Sequence, residues 1–212
     1  MIQEPVILVA AVATGLGLYD VVVTSPMKLR EAYREGLSVL SGIVEAKDPR
    51  AEGHSGRVAE LSVKLASALG MRRRDCERMR YAALLHDIGK VKVPRAILTK
   101  PDMLDPDEFD TVKVHSAVGA QILANVEFVQ PLAGIVRAHH ERPDGRGYPD
   151  GLKGDQIPIE SRVIGLAAAY EAMTSARSWR PAMGESDVLE VIRAGRGTEF
   201  DADVVDAFFQ LL

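Results

Sequence analysis

The chain has little cysteine and a deficit of basic residues. It contains one cysteine, Cys76, so an intrachain disulfide is excluded and a reducing compartment is favoured. Its 26 basic residues are outnumbered by 30 acidic ones, for a formal charge of −4. This shortage of positive charge argues against a broad surface for a DNA or RNA polymer. With 212 residues, 47% of them hydrophobic, the composition is that of an ordinary globular protein of about one domain.

Long hydrophobic runs are also missing, except for one ambiguous segment near the N-terminus. Residues 6–19 carry no charge, but they fall short of the roughly 20 residues that span a bilayer, and Asp20 interrupts the run. No basic region precedes them, which argues against a cleaved signal peptide. Two interpretations of residues 1–26 stay open: a packed extension, or a membrane anchor. We expect a cytoplasmic protein, which an anchor would hold at the inner face of the membrane because basic residues follow the segment.

From residue 27 onward the apolar spacing is helical. Leu29, Tyr33, Leu37, Leu40 and Val44 recur at steps of three and four, which is typical of an amphipathic helix. Further helices are predicted near residues 58–69, 79–84, 107–112, 114–125, 132–139, 159–174, 185–194 and 202–211, with a glycine- and proline-rich loop at 142–158. The sequence therefore predicts an all-α bundle over residues 27–212, preceded by the apolar segment 1–26.

Histidines are scarce, and their positions are the most informative feature of the chain. All five fall near the predicted ends of helices, and one of them is followed directly by an aspartate, Asp87; they are His54, His86, His115, His139 and His140. Imidazole with carboxylate is a ligand set for zinc, iron, manganese or nickel. Each histidine alone could be a hydrogen-bonded core residue. Together these residues offer more ligands than a single tetrahedral catalytic zinc takes, so two divalent metal ions are the simplest interpretation.

Two strings around these histidines resemble the signature motifs of the HD-GYP domain, a branch of the HD phosphohydrolase superfamily. The first is HDIGK at residues 86–90, and the second is HHERPDGRGYPDGL at residues 139–152. The resemblance covers about residues 46–211. It implies an HD-superfamily helical bundle with a GYP loop, and a metal-dependent phosphodiesterase that hydrolyses cyclic di-GMP to pGpG or GMP.

The resemblance also implies a ligand set for two metal ions. Asp87 would bridge them, with His54 and His86 on one ion and His115, His139 and His140 on the other. Iron and manganese are the preferred candidates, and zinc and nickel are the alternatives.

Catalytic and substrate-binding residues are implied in the same way. Asp87 and Lys90 would be catalytic, with the Lys90 charge aimed at the phosphate or the leaving oxygen. Lys90, Tyr148, Arg177 and Arg180 would contact the cyclic dinucleotide, since guanidinium groups suit phosphate oxygens and guanine edges.

The sequence departs from the family pattern at Ala168. Nine residues before the arginine that matches Arg177, family members have a metal-binding aspartate, whereas this chain has an alanine. The ion of His54 and His86 would therefore lose one carboxylate ligand. Glu171 lies one helical turn later, but we do not expect it to replace that ligand, because the family usually has an acid there that binds no metal.

Three functions stay open on this evidence. The first is an active cyclic di-GMP phosphodiesterase, which retains six metal ligands. The second is a degenerate signalling module that binds the dinucleotide or a partner protein, as the alanine at position 168 suggests. The third is an HD hydrolase for another phosphoester. A homodimer is compatible with each of them.

Overall fold

The computed structural model describes residues 25–48, 51–176 and 181–212. Of these, residues 25–37 belong to one compact unit and residues 38–212 to another. The described ranges contain helices and turns but no strand, and one isolated bridge joins Arg196 to Phe200. The all-α prediction is therefore confirmed for this part of the chain. Most of the apolar segment 1–26, as well as Arg177 and Arg180, lies outside the described residues, and the predicted division after residue 26 stays a prediction.

Nine α-helices follow one another through the described ranges. They are α1 (Ser25–Glu45), α2 (His54–Ala68), α3 (Arg73–Leu85), α4 (Arg95–Leu98), α5 (Pro106–Ala124), α6 (Ala133–Arg137), α7 (Ile159–Thr174), α8 (Glu185–Ala194) and α9 (Ala202–Gln210). Short 3-10 turns occur at Ile88–Lys92, Gln130–Leu132 and Gly154–Gln156. None of the described helices has the length and apolarity needed to cross a membrane.

The predicted pair of helices at 107–112 and 114–125 is wrong, because the structure has one helix, α5, over both. A capping box starts α5: the Asp105 carboxylate accepts from the Glu108 amide at 2.9 Å, and the Glu108 carboxylate accepts from the Asp105 amide at 2.9 Å. Lys113, between the two predicted segments, is neither glycine nor proline and does not interrupt the helix.

Helix α2 lies at the centre of the larger unit, where it packs against α3 and α7. Its residues Val58 and Leu65 are completely buried, as are Met79 of α3 and Ile164 of α7. Burial of one such side chain stabilises a fold by about 1.5–3 kcal/mol. This packing brings the start of α2, the end of α3 and the middle of α7 to the wall of one cavity.

The start of α2 is held by the last residue of α1. The Glu45 carboxylate accepts hydrogen bonds from the amides of Gly53 at 2.8 Å and Ser55 at 2.7 Å. The first amides of a helix have no partner within the helix, so this carboxylate satisfies groups that would otherwise be unpaired. It also orients the first helical residue of α2, which is His54.

Gly89 allows the turn after α3 to lie directly on α5. A Cβ atom at this position would be 1.9 Å from the carbonyl oxygen of His115 and 2.6 Å from the amide nitrogen of Gly119. Only glycine permits so close an approach between two backbones. The turn Ile88–Lys92 therefore carries Asp87 and Lys90 to the helix that contains His115.

Lys47 holds the same turn from the other side. Its ammonium group donates to the backbone carbonyl oxygens of Lys90 at 3.1 Å, Val91 at 2.9 Å and Val93 at 2.5 Å. Carbonyl groups at the end of a short helix lack partners within it, and a cation there satisfies them and favours the local dipole. Lys47 is therefore a structural support for the turn that presents Lys90.

Replacing Lys47 by methionine keeps the apolar stem of the side chain and removes all three hydrogen bonds. We expect Lys47→Met to lower the free energy of unfolding by about 1–3 kcal/mol, the range for lost charge-assisted hydrogen bonds. Urea unfolding followed by circular dichroism measures this change. The control is Lys64→Met, at an exposed lysine of α2. Equal midpoints for the two variants would show that the three bonds contribute no stability.

Candidate metal centre

The five histidines and Asp87 come together in the larger unit as two adjoining groups. Within each group, the potential ligand atoms lie within 4.8 Å of one another: His54, His86 and Asp87 form one group, and His115, His139 and His140 form the other. The six residues come from α2, α5 and the turns that follow α3 and α6. The structure thus brings to one place all of the metal ligands predicted from the sequence.

The Asp87 carboxylate lies between the two groups. Its Oδ1 is 3.3 Å from Nε2 of His115, whereas its Oδ2 is 3.4 Å from Nε2 of His86 and 3.7 Å from Nε2 of His54. One oxygen therefore faces each group. This is the arrangement that a carboxylate needs to bridge two ions.

Backbone carbonyls orient three of the imidazole rings. In each case Nδ1 bonds the carbonyl oxygen three residues earlier: His86 to Ala83 at 2.7 Å, His115 to Val112 at 2.6 Å, and His139 to Val136 at 2.6 Å. A carbonyl can only accept, so Nδ1 must carry the proton and the lone pair is on Nε2. In all three rings Nε2 is thus the nitrogen able to bind a metal.

Burial keeps these histidines neutral at pH 7. It lowers the pKa of His86 to about 4, even though the Asp87 charge opposes the shift. Burial also lowers the pKa of His115, and it holds those of His139 and His140 well below the usual value, with help from neighbouring imidazoles. A divalent ion requires an unprotonated imidazole, so these rings can bind it without first releasing a proton.

Asp87 is charged in spite of its burial. Burial alone would raise the pKa of its carboxyl group, but the Lys90 ammonium and the three nearest imidazoles together outweigh that effect and hold the pKa well below the usual range. Lys90 Nζ lies 2.6 Å from Oδ2 of Asp87, and its side chain is 29% exposed. Lys90 thus lies at the edge of the centre, where it is accessible from the cavity.

Glu171 contacts the centre through His54. One oxygen of its buried carboxylate bonds Nδ1 of His54, and the other accepts from Nε of Arg57 at 2.9 Å and Oγ of Ser175 at 2.9 Å. Burial would raise the pKa of Glu171, but its bonds with His54 and Arg57 lower it to about 2. Glu171 therefore orients the ring whose Nε2 faces Asp87. This contact was not predicted from the sequence, whose one signal for it is an acid three residues after Ala168.

The centre opens into a cavity of about 540 Å³. Ala168 of α7 lines this cavity, as do His54 and His86, so the position of the absent aspartate does face the cavity. Tyr148 stacks on the ring of His140, with the ring centroids 4.7 Å apart. Burial raises the pKa of Tyr148, which keeps its hydroxyl protonated and able to donate a hydrogen bond.

The loop that presents Tyr148 is anchored by Glu141, which follows His140. The buried Glu141 carboxylate accepts from the amides of Asp150 at 2.6 Å, Gly151 at 3.1 Å and Leu152 at 3.0 Å. Gly147 is also required, because a Cβ atom there would lie 2.4 Å from the amide nitrogen of Arg142. The loop is therefore fixed to the same turn that supplies two of the histidines.

This chain is similar to known proteins of one family. A model of the HD domain family matches residues 38–204. The response regulator RpfG of Xanthomonas campestris pv. campestris, named as a cyclic di-GMP phosphodiesterase, is 35% identical over 92% of this chain and 52% of its own length. The 3'3'-cGAMP-specific phosphodiesterase 3 of Vibrio cholerae is 38% identical over 88% of this chain and 41% of its own length.

A solved structure supports the fold. Bd1817, an HD-GYP-type protein from Bdellovibrio bacteriovorus, aligns with a TM-score of 0.63 at 21% identity, covering 74% of this chain and 51% of that one. The chain spans about half the length of these relatives or less. With its family match over most of its length and its two signature strings around the histidine groups, this chain belongs to the HD domain family, in the HD-GYP branch.

Proposed function

We propose that this domain hydrolyses a phosphodiester bond of a cyclic dinucleotide at two divalent metal ions. The observation that carries the proposal is the position of Asp87, with one carboxylate oxygen toward each of two groups of imidazoles. Four imidazoles that burial keeps neutral, together with one charged carboxylate, fit a metal pair. Iron and manganese are the preferred ions, with zinc and nickel as alternatives.

Some residues of the site would bind the metal ions, and others would contact the substrate. His54, His86 and Asp87 would hold one ion, and the other three histidines, with the second Asp87 oxygen, would hold its neighbour. Such a pair would lower the pKa of a bound water and stabilise charge on the phosphate. Lys90 would exchange its contact with Asp87 for the phosphate or the leaving oxygen. The protonated Tyr148 hydroxyl would donate to the substrate from the side of His140.

The class of substrate is taken from the relatives. Some are named as cyclic di-GMP phosphodiesterases and others as 3'3'-cGAMP-specific phosphodiesterases. These compounds share a ring of two nucleotides and differ in one purine. We propose cyclic di-GMP as the substrate, with 3'3'-cGAMP as the comparison. Arg177 and Arg180 remain predicted contacts of the dinucleotide.

A second candidate function is a binding module that has lost catalysis. The observation that favours it is Ala168, whose methyl group lies in the cavity wall where a carboxylate would complete the group of His54 and His86. Glu171 is engaged by His54, Arg57 and Ser175 and supplies no obvious substitute. This candidate predicts binding of the dinucleotide without turnover.

Turnover separates the two candidates. Purified protein loaded with Mn²⁺ or Fe²⁺ under anaerobic conditions is expected to convert cyclic di-GMP to pGpG or GMP, measured by anion-exchange chromatography. The Asp87→Asn variant is expected to lose at least about a hundredfold in rate, because it loses the charge shared by both ions. Binding of cyclic di-GMP without product, with every metal tested, would favour the binding module.

Metal content tests the ligand assignment independently of activity. We expect two ions per chain by elemental analysis, and one ion in each of the variants His86→Ala and His140→Ala, because each removes a ligand of a different ion. Asp102→Ala, at an exposed carboxylate, is the control and is expected to retain both ions. A wild-type protein that retains no metal after purification and reloading would contradict the proposal.

Restoring the missing carboxylate tests the effect of Ala168. We expect Ala168→Asp to raise affinity for the ion of His54 and His86 by about tenfold or more, with a gain in kcat, because a charged ligand completes that group. The matched control is Ala169→Asp, which adds the same charge to the next residue of α7, about 100° around the helix. An equal effect of both variants would indicate a general effect of charge. No effect of Ala168→Asp would mean that the six existing ligands suffice.

A further inference from the structure

The cavity carries five basic side chains among its described lining residues, and four of them are neutralised by the protein itself. The closest pairs are Lys90 with Asp87 at 2.6 Å, Lys113 with Asp110 at 2.7 Å, Arg142 with Asp144 at 2.7 Å, and Arg162 with Asp201 at 2.8 Å. The fifth is Arg146. Within the described part of the chain, its guanidinium group has no hydrogen bond or ion pair.

The backbone of Arg146 is nevertheless tightly held. Its amide donates to Oδ1 of Asp144 at 3.0 Å, so the hydrogen bond to that carboxylate is made by the backbone, and the guanidinium attracts the same carboxylate only from beyond ion-pair distance. Gly145 before it has a left-handed φ of 77°, and Gly147 after it lies against the backbone of Arg142. Two residues later, the amide of Tyr148 donates to the carbonyl of His140 at 3.2 Å. The loop thus presents, two residues before the ring that stacks on His140, a cation that makes no hydrogen bond or ion pair with the described residues.

A cyclic dinucleotide has two phosphodiester groups, each with one negative charge. If one is cleaved at the metal centre, as the proposed function requires, the other must be accommodated elsewhere in the cavity. Cations already paired with carboxylates would have to exchange partners to bind it, whereas Arg146 would not. A guanidinium also donates two parallel hydrogen bonds to phosphate oxygens.

We propose that Arg146 binds the second, uncleaved phosphodiester of the cyclic dinucleotide. This inference rests on the proposed function and identifies a binding residue in addition to Lys90, Tyr148 and the two predicted arginines. Its position between Gly145 and Gly147 places it in the cavity lining, and it is not one of the metal ligands. It therefore contributes to substrate affinity and does not take part in bond cleavage.

The test compares two ligands with the same bases and different numbers of phosphates. Cyclic di-GMP has two phosphodiesters, and the linear dinucleoside monophosphate GpG has one. We expect Arg146→Ala to raise the KM for cyclic di-GMP about tenfold, as for loss of one charge-assisted contact, while kcat changes less than about twofold. The inhibition constant of GpG is expected to stay unchanged. Arg146→Lys is expected to recover most of the affinity, because the lysine ammonium keeps the positive charge that attracts the phosphate.

The control is Arg73→Ala, which removes the same charge from an exposed position on α3. An equal KM for Arg146→Ala and Arg73→Ala would overturn the inference and leave the proposed function intact. A matching loss of GpG affinity would also overturn it, because Arg146 would then contact a group that both ligands share. If the wild-type protein binds without turnover, the same comparison is made on calorimetric dissociation constants. A wild-type protein that neither binds nor hydrolyses the dinucleotide would overturn both proposals.

Discussion

The charged carboxylate of Asp87, buried among imidazoles, is the constraint on which the rest of the site depends. A buried charge is costly unless it is paired and hydrogen-bonded. Here Lys90 and the Nε2 atoms of three histidines surround it at 2.6–3.7 Å. Two metal ions would satisfy the same oxygens more strongly, so the arrangement is a pre-organised receptor for cations.

The packing of the larger unit holds the elements that surround Asp87 in place. Glu45 orients the start of α2, Gly89 lets the turn after α3 touch α5, and Lys47 holds the far end of that turn. Backbone carbonyls fix three rings in one tautomer. Each contact is modest in energy, but together they leave the ligands little freedom to lose when an ion binds, which is how rigid sites gain affinity.

The two halves of the centre are not equivalent. The group of His115, His139 and His140 consists of neutral imidazoles and shares Asp87 with its neighbour. Ala168 lines the cavity to which His54 and His86 belong. The Glu171 carboxylate bonds Nδ1 of His54, the ring nitrogen that does not face Asp87. An ion bound by fewer protein ligands keeps more of its positive charge. Its affinity for the protein is lower, and its attraction for a phosphate is greater.

The sequence by itself determined the all-α class and most helix positions, and it singled out the five histidines and Asp87, because apolar spacing, scarce histidines and two long motifs are local properties of the chain. Helix α7 lies at the predicted residues, Ile159–Thr174. The sequence could not show that Lys47 reaches a turn 43 residues away, or that Glu171 contacts His54 across 117 residues. Nor could it show that Arg146 is the basic residue without an ion pair among the described lining residues. Only the tertiary structure decided these, because a side chain's partner depends on which distant segments packing brings within hydrogen-bond distance.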